Sequence, residues 1–351
     1  MPIQLHVAPH PDALVDLLID RLAVPPEDPF APELIAVPTR GIERWLTQRI
    51  ALGFAERGIG DGVVANVEFP SPRHLVQQVL AVVPDLAASA DAWQTANLTS
   101  HVLTAIDRHV DEAWLWLIQR YIDGPTGPNR LGAATKIARL FSTYARRRPE
   151  MIRSWADGQD VGPAGEPIDA GYAWQPTLWR AVRDEIGIPP LASLLPEGLD
   201  PIRDGSIDLD LSDRLAVYGL TATDPLDLQV LRALGEQRDV ALYALHPSPG
   251  LWQTLAAGGL TVISRDDDPT AAAPVHPLLG SWGRDSRELQ TVLSDAGLAS
   301  SLSSSGDEQP FDALPGEPLR GRRPSQREGE SPSPSGRGRE AFGTTVSSPF
   351  G

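Results

Sequence analysis

The stretch IQLHVAPHPDALVDLLIDRL, residues 3–22, indicates the fold class. Its apolar run from Ile3 to Ala8 predicts a buried strand, and the turn PHPD at 9–12 ends that strand. The leucines that follow recur every three or four positions, which predicts an amphipathic helix. A nucleotide-binding domain with a phosphate-binding loop begins with the same order of strand, turn and helix.

The chemistry of a phosphate-binding loop is missing at this turn. Such a loop needs glycines, whose backbone N–H groups approach the phosphates, and a lysine for the β and γ oxygens. Residues 8–13, APHPDA, contain neither, and the only lysine of the chain, Lys136, lies far away in a helical pattern. The sequence therefore excludes a Walker A site. The lysine count also argues against a restriction-type nuclease core.

Composition limits the classes of function. The length of 351 residues predicts about two domains. The net charge of −16 argues against a free-standing non-specific DNA binder, although a local arginine patch stays possible. The absence of cysteine excludes disulfides, cysteine metal sites and thiol nucleophiles. We expect a cytoplasmic protein, because we find no signal peptide and every apolar run is too short for a membrane span.

The first section, 1–84, continues as alternating strands and helices. A buried strand is predicted at Leu34–Val37 and a helix from Ile42 to about Glu56, followed by a strand within VVANVEFPSP and a helix at RHLVQQVLAVV. Strands separated by helices at this spacing predict a parallel sheet. We assign this section to the first part of an α/β domain.

Three further sections follow. Residues 85–205 show helical periodicity broken by Pro/Gly turns, and we interpret them as a helical insertion domain. Residues 206–300 return to the sheet, with strands predicted at Leu215–Tyr218 and Val240–Ala244 around one helix. Residues 301–351 are rich in Ser, Pro, Gly and Arg, which predicts a disordered tail.

Few residues qualify for catalysis. The acidic segment SIDLDLSD, with Asp208, Asp210 and Asp213, has no histidine at metal-ligand spacing, and a solvated acidic loop is the preferred interpretation. A stand-alone α/β enzyme with a carboxylate-metal site there stays open as an alternative. No histidine pair has zinc-site spacing, and no G-x-S-x-G elbow occurs. We therefore predict no catalytic, cofactor-binding or metal-binding residue.

Two junctions between a strand and a helix suit DNA phosphates. In PTRGIERWLTQRI, Thr39 and the backbone near Arg40 start a helix, whose N-terminus attracts anions, and Arg44 adds charge. An ordinary helix start with exposed arginines fits these residues equally. The second junction, FPSPRHL, supplies a further set: Ser71, Arg73 and His74.

A third basic candidate is the run of three arginines at 146–148. Such a run is more often a solvated helix end, where cations interact favourably with the helix dipole.

Several blocks in the same order resemble the N-terminal part of the RecC family. Among them are LHVAPHPDALVDLL, PFAPELIAVPTRGIERWLTQRIA and LAVYGLTATDPLDLQVLRALGEQRDVALYALHPSP, and the resemblance covers about residues 1–295. It implies a superfamily 1 helicase fold that has lost its phosphate-binding loop and its ATPase activity. By the same resemblance, Thr39 and Arg40 lie near single-stranded DNA. Tyr218 and Gly219 take the place of a helicase's Mg²⁺-binding acidic pair.

The resemblance also implies partners and a function. RecC is the gamma chain of exodeoxyribonuclease V, the RecBCD helicase-nuclease, which unwinds and degrades linear duplex DNA during recombinational repair of double-strand breaks. It forms a heterotrimer with RecB and RecD, which bind the ATP and Mg²⁺, and it scans the emerging strand for the hotspot Chi. The leading hypothesis is thus a non-catalytic DNA-binding and scaffold subunit.

Family members are several times longer than this chain, and the tail does not resemble them. We therefore also hypothesise that the last 40 or so residues are out of frame. A truncated, non-functional remnant is the third alternative.

Overall fold

A single parallel sheet organises the fold. The computed structural model describes residues 3–26, 28–124, 127, 129–257, 269–274 and 276–298. The strands within these ranges are β1 (Gln4–Ala8), β2 (Glu33–Ala36), β3 (Val67–Glu68), β4 (Arg214–Leu220) and β5 (Asp239–Leu245). Their order is β1-β5-β4-β2-β3, and each neighbouring pair is parallel. The prediction of an α/β protein with a parallel sheet is confirmed.

Helices make up most of the remaining described chain. They are α1 (Pro11–Leu22), α2 (Arg40–Glu56), α3 (Pro72–Ala81), α4 (Pro84–Ala92), α5 (Thr95–Arg108), α6 (Trp116–Asp123), α7 (Arg130–Arg147), α8 (Pro149–Ala156), α9 (Trp174–Ile186), α10 (Leu191–Gly198), α11 (Asp200–Arg203), α12 (Pro225–Gln237), α13 (Pro249–Ala257), α14 (Pro277–Trp282) and α15 (Arg284–Asp295). Within the described ranges, no helix is long and apolar enough to cross a membrane.

Helices cover the sheet on both faces. On one face, α1 and α2 bury residues such as Leu18 and Leu46 against Tyr218 of β4. On the other face, α3 and α12 bury residues such as Leu75 and Leu231 against β4 and its neighbours. Successive β4 side chains therefore point to opposite apolar layers, which explains why the sequence of this strand is almost continuously apolar.

The third strand is shorter than the run VVANVEFPSP predicts. Only Val67 and Glu68 pair with β2. Asn66 has a φ of 56°, a left-handed conformation that interrupts extended backbone before the strand. Pro70 has no N–H for a ladder hydrogen bond after it. β3 is therefore a two-residue strand at one edge of the sheet.

A separate core lies among helices between α4 and α10. It centres on Trp155 and Trp179, whose ring centroids lie 6.2 Å apart. Within it, α7 ends and α8 begins at Arg148, because Pro149 disfavours the helical conformation of the residue before it. The boundaries 1–84, 85–205 and 206–300 stay predictions, and the predicted disordered tail, 301–351, lies outside the described residues.

Candidate functional site

The chain reverses direction across the sheet between β2 and β4. From β2 it moves outward through α2 to β3, whereas from β4 it moves the opposite way through α12 to β5. The two helices pack on opposite faces. In open parallel sheets, such a switch point leaves a crevice outside the carboxyl ends of the strands, where ligands bind.

A cavity of about 210 Å³ occupies this position, and we call it the crevice. Its lining includes Pro38 after β2, the loop 221–224 after β4, and Arg147 at the end of α7. Gly219 lies in its wall with a φ of 75°, at a point where the register between β4 and β5 shifts. Glycine suits this position because a side chain would strain a left-handed backbone. The crevice is therefore lined both by loops of the sheet and by the end of a helix from the separate helical region.

The first predicted set of DNA-binding residues lies at the N-terminus of α2. Thr39 is the N-cap residue, and its Oγ1 accepts a hydrogen bond of 3.3 Å from the backbone N–H of Ile42. Arg40 and Arg44 follow in the first turns, and both are exposed. Further along α2, Arg49 is held by Asp12 at 2.9 Å. A helix N-terminus with exposed arginines attracts anions.

The second predicted set lies at the N-terminus of α3. Ser71 caps this helix by accepting a 3.2 Å hydrogen bond from the backbone N–H of His74. The exposed Arg73 lies within electrostatic range of Asp227 beside the crevice. The ring of His74 instead lines a separate cavity of about 600 Å³, together with Glu68.

The structure places the starts of the two helices that carry the predicted residues next to each other. The loops that carry Thr39 and Ser71 are joined by a 2.9 Å backbone hydrogen bond from Val37 to Pro70. They follow neighbouring parallel strands, so both helix N-termini lie at the carboxyl edge of the sheet. His74 belongs to the same helix turn but lines the other cavity.

The sequence did not reveal two acidic residues beside the crevice. Arg146 donates from Nε to Asp224 at 2.8 Å and from a terminal nitrogen to Asp227 at 2.6 Å. Burial raises the pKa of the Asp227 carboxyl, whereas Arg146 and, more weakly, Arg73 oppose that shift. A local sequence pattern cannot predict this contact, because Arg146 and Asp224 are 78 residues apart.

The carboxylate-metal alternative gains no support from the described residues. Asp210 lines the larger cavity, and Asp213 is 88% exposed at 3.4 Å from Arg238. Within the part of the chain that the structure describes, no group of three or more His, Asp or Glu side chains could hold a metal ion.

The junction between β1 and α1 is short. Only Pro9 and His10 separate the two elements, and His10 makes no side-chain cap. Pro11 occupies the first helical position, where it has no N–H to donate. Lys136 lies on α7, and its Nζ donates to the Tyr121 hydroxyl at 2.7 Å. The junction thus holds no glycine, and Lys136 is engaged elsewhere.

Comparison with known proteins gives a consistent result. The family described as "RecC, N-terminal domain" matches residues 3–318. The chain is 36% identical over 305 residues to RecBCD enzyme subunit RecC of Mycobacterium tuberculosis (strain CDC 1551 / Oshkosh), covering 84% of this chain and 27% of that protein. The subunit of the same name from Mycolicibacterium smegmatis is 33% identical over 302 residues, covering 84% and 25%.

A more distant relative extends the same comparison. The RecBCD enzyme subunit RecC of Escherichia coli (strain K12) is 24% identical over 336 residues, covering 86% of this chain and 29% of that protein. The chain therefore spans between a quarter and a third of the length of these three relatives. The family match reaches residue 318, beyond the point near residue 295 where the quoted blocks end.

Proposed function

The chain belongs to the RecC family, and we propose that it acts as a non-catalytic, DNA-binding scaffold subunit of a RecBCD-type helicase-nuclease in DNA repair. The single observation that carries this proposal is the crevice at the switch point, with a capped helix N-terminus and exposed arginines on either side. The ligand in this proposal is the single strand that emerges from an unwound duplex.

The geometry suits the backbone of a single strand. Phosphates are negatively charged and recur along the strand, so they are bound by successive cationic groups and backbone N–H donors. Arg40 and Arg44 offer charge on the α2 side of the edge, and Arg73 and Arg147 offer it on the other side. A strand that follows the sheet edge would meet both groups in turn.

The strongly acidic whole chain is compatible with this local attraction. The net charge of −16 disfavours DNA elsewhere on the surface, because like charges repel over a Debye length of about 10 Å. Binding would thus be confined to the arginine-rich edge and to channels shared with partner subunits. We propose RecB-like and RecD-like subunits as those partners, in a heterotrimer.

The chain itself has no proposed cofactor. We interpret the sheet as a degenerate superfamily 1 helicase domain whose phosphate-binding loop is lost. The short β1–α1 junction with Pro11 at the first helical position supports this interpretation. ATP and Mg²⁺ would act in the partner subunits. Scanning of the strand for Chi is part of the proposal and is supported by the family resemblance alone.

Co-purification tests the proposed function. The full chain is tagged in its native cell, purified with its partners and assayed for ATP-dependent degradation of linear duplex DNA. We expect two larger partners and this activity, while the chain alone shows no ATPase. Isolation of the chain without partners or activity would contradict the proposal. Metal-dependent turnover by the chain alone, lost in Asp210→Ala, would favour the enzyme alternative instead.

A further inference from the structure

Two adjacent arginines at the end of α7 have different environments. The Arg146 side chain is 29% exposed and is held by both Asp224 and Asp227. The Arg147 side chain is 58% exposed, lines the crevice and approaches Asp224 only at 3.5 Å. Successive residues on an α-helix point about 100° apart, so one side chain can face α12 while the next faces the crevice.

We propose that Arg146 is a positioning residue that acts through Arg147, by fixing the end of α7 against the start of α12 so that the Arg147 guanidinium stays at the crevice for a DNA phosphate. This inference rests on the proposed function. We do not assign Arg146 a DNA contact, because its Nε and one terminal nitrogen donate to the two carboxylates and its side chain is only 29% exposed.

The contacts of Arg146 suit a fixed position. Asp224 is the N-cap residue of α12, and Asp227 lies in the first turn of that helix, so their carboxylates present two acceptors from one rigid element. The planar guanidinium donates along two directions and can satisfy both carboxylates at once, which an ammonium on a flexible stem does less well. The ion pairs join residues 78 and 81 positions apart in sequence. They therefore connect the helical part of the chain to the sheet.

The same ion pairs control the charge that a phosphate meets. Two carboxylates beside the crevice would repel a phosphate if they were unpaired, and Arg146 neutralises part of that charge. The side chains of Asp224 and Asp227 are only 21% and 16% exposed, so solvent screens them weakly. Removing Arg146 would leave this negative charge beside a cation that is no longer held in place.

The experiment measures binding of the full chain to a fluorescent oligothymidylate at several salt concentrations. For single strands, each phosphate contact contributes about 0.7 to the slope of log affinity against log salt. We expect Arg147→Gln to lower the slope by about that amount and the affinity by about tenfold. Arg146→Gln should give at least the same loss, since it also leaves the two carboxylates unpaired, and the loss in the double variant should be clearly smaller than the sum of the two single losses. Additive losses would show that Arg146 contacts the DNA by itself and would overturn the inference.

A second experiment asks whether Asp227→Asn weakens or tightens DNA binding, with Asp208→Asn as the matched control. Asp208 is exposed and precedes β4, at the opposite end of the strand from the crevice. Each change removes one negative charge, which alone would tighten DNA binding. We expect Asp208→Asn to bind unchanged or slightly tighter and Asp227→Asn to bind several-fold weaker, because Arg146 loses an anchor. Tighter binding by Asp227→Asn would overturn the inference.

Conservative replacement separates positioning from folding. Arg146→Lys keeps the charge and should restore the salt slope in part, which a merely structural role would not produce. Thermal unfolding of each variant is measured in parallel, and Asp227→Asn and Arg146→Lys carry the test if Arg146→Gln does not fold. If Arg147→Gln leaves binding unchanged, the proposed DNA contact at the crevice fails together with this inference. If Arg147→Gln weakens binding while Asp227→Asn tightens it, the inference alone fails.

Discussion

Thr39 and Ser71 each lie three residues after the end of one of two neighbouring parallel strands, and each caps the helix that begins there. The Thr39 hydroxyl accepts from the N–H of Ile42, and the Ser71 hydroxyl accepts from the N–H of His74, three residues ahead in each case. The two helices pack on opposite faces of the sheet, but they follow parallel strands, so both positive helix ends lie at the same edge.

We expect removal of either helix cap to lower the stability of the protein measurably. Thr39→Ala and Ser71→Ala should each lower the free energy of unfolding by about 1 kcal/mol, because each leaves a helix N–H without its acceptor. Urea denaturation measures this change. Thr143→Ala is the control, since that exposed hydroxyl lies in the middle of α7, where its loss should change stability by less than about 0.5 kcal/mol. Equal stability of Thr39→Ala and the parent would contradict the capping role.

The exposed arginines predict a charge-specific loss of DNA affinity. Arg44→Gln and Arg73→Gln should each weaken oligothymidylate binding and lower the salt slope by about 0.7. Arg49→Gln is the matched control on α2, because Arg49 already pairs with Asp12. We expect its affinity to stay within about twofold of the parent. A larger effect at Arg49 than at Arg44 would place the strand elsewhere on the helix.

We expect Gly219→Ala and Gly41→Ala to change the free energy of unfolding in opposite directions. Gly219→Ala should lower the free energy of unfolding by about 1–2 kcal/mol, because its φ of 75° is unfavourable for a residue with a Cβ atom. The nearest atoms to an added Cβ lie at 3.7–3.9 Å, so backbone strain rather than collision causes the loss. Gly41→Ala, in the first turn of α2, should raise stability by a few tenths of a kcal/mol. Denaturant titration measures both, and a stabilised Gly219→Ala would contradict the account.

We expect the buried His246 to make the stability of the protein depend on pH. The ring is 1% exposed and packs against Trp252, and burial lowers the pKa of His246 below its ordinary value of 6.5. The unfolded chain therefore binds a proton near pH 6.5 that the folded chain does not bind until lower pH. Stability is fully present above the unfolded pKa and falls as the pH drops toward the folded pKa.

Unfolding free energies measured at about pH 7.5 and about pH 5.5 test this dependence. The difference between the two pH values should be smaller in His246→Gln than in the parent chain. The control is His10→Gln, which removes an exposed ring at the start of α1. An unchanged difference in His246→Gln would show that another group causes the loss at acid pH.

Local sequence patterns were enough to predict most sheet elements. The strand at Gln4–Ala8 and the helix from Pro11 follow directly from an apolar run, a proline turn and helical spacing. The predicted strands near Leu215 and Val240 are observed as β4 and β5, each extended by one to two residues at its ends. These elements are predictable because their period and their turn residues are local properties.

The site depends on contacts that are distant in sequence. Thr39 and Ser71 were identified as residues at helix starts, but their meeting at one edge depends on the strand order, which periodicity does not determine. The pairing of Arg146 with Asp227 across 81 residues has no local signal. The arginine run 146–148 suggested a solvated helix end, whereas Arg146 is engaged by two carboxylates.

Photo-crosslinking tests the central claim most directly. The full chain is bound to an oligonucleotide that carries 4-thiothymidine, irradiated, digested and analysed by mass spectrometry. We predict crosslinks in three segments at the carboxyl edge of the sheet, residues 37–41, 69–74 and 219–224, which lie where a strand ends and the next helix begins. Arg147→Gln and Arg73→Gln should reduce their yield. Crosslinks confined to the opposite edge, or yields that these two variants do not change, would contradict the account.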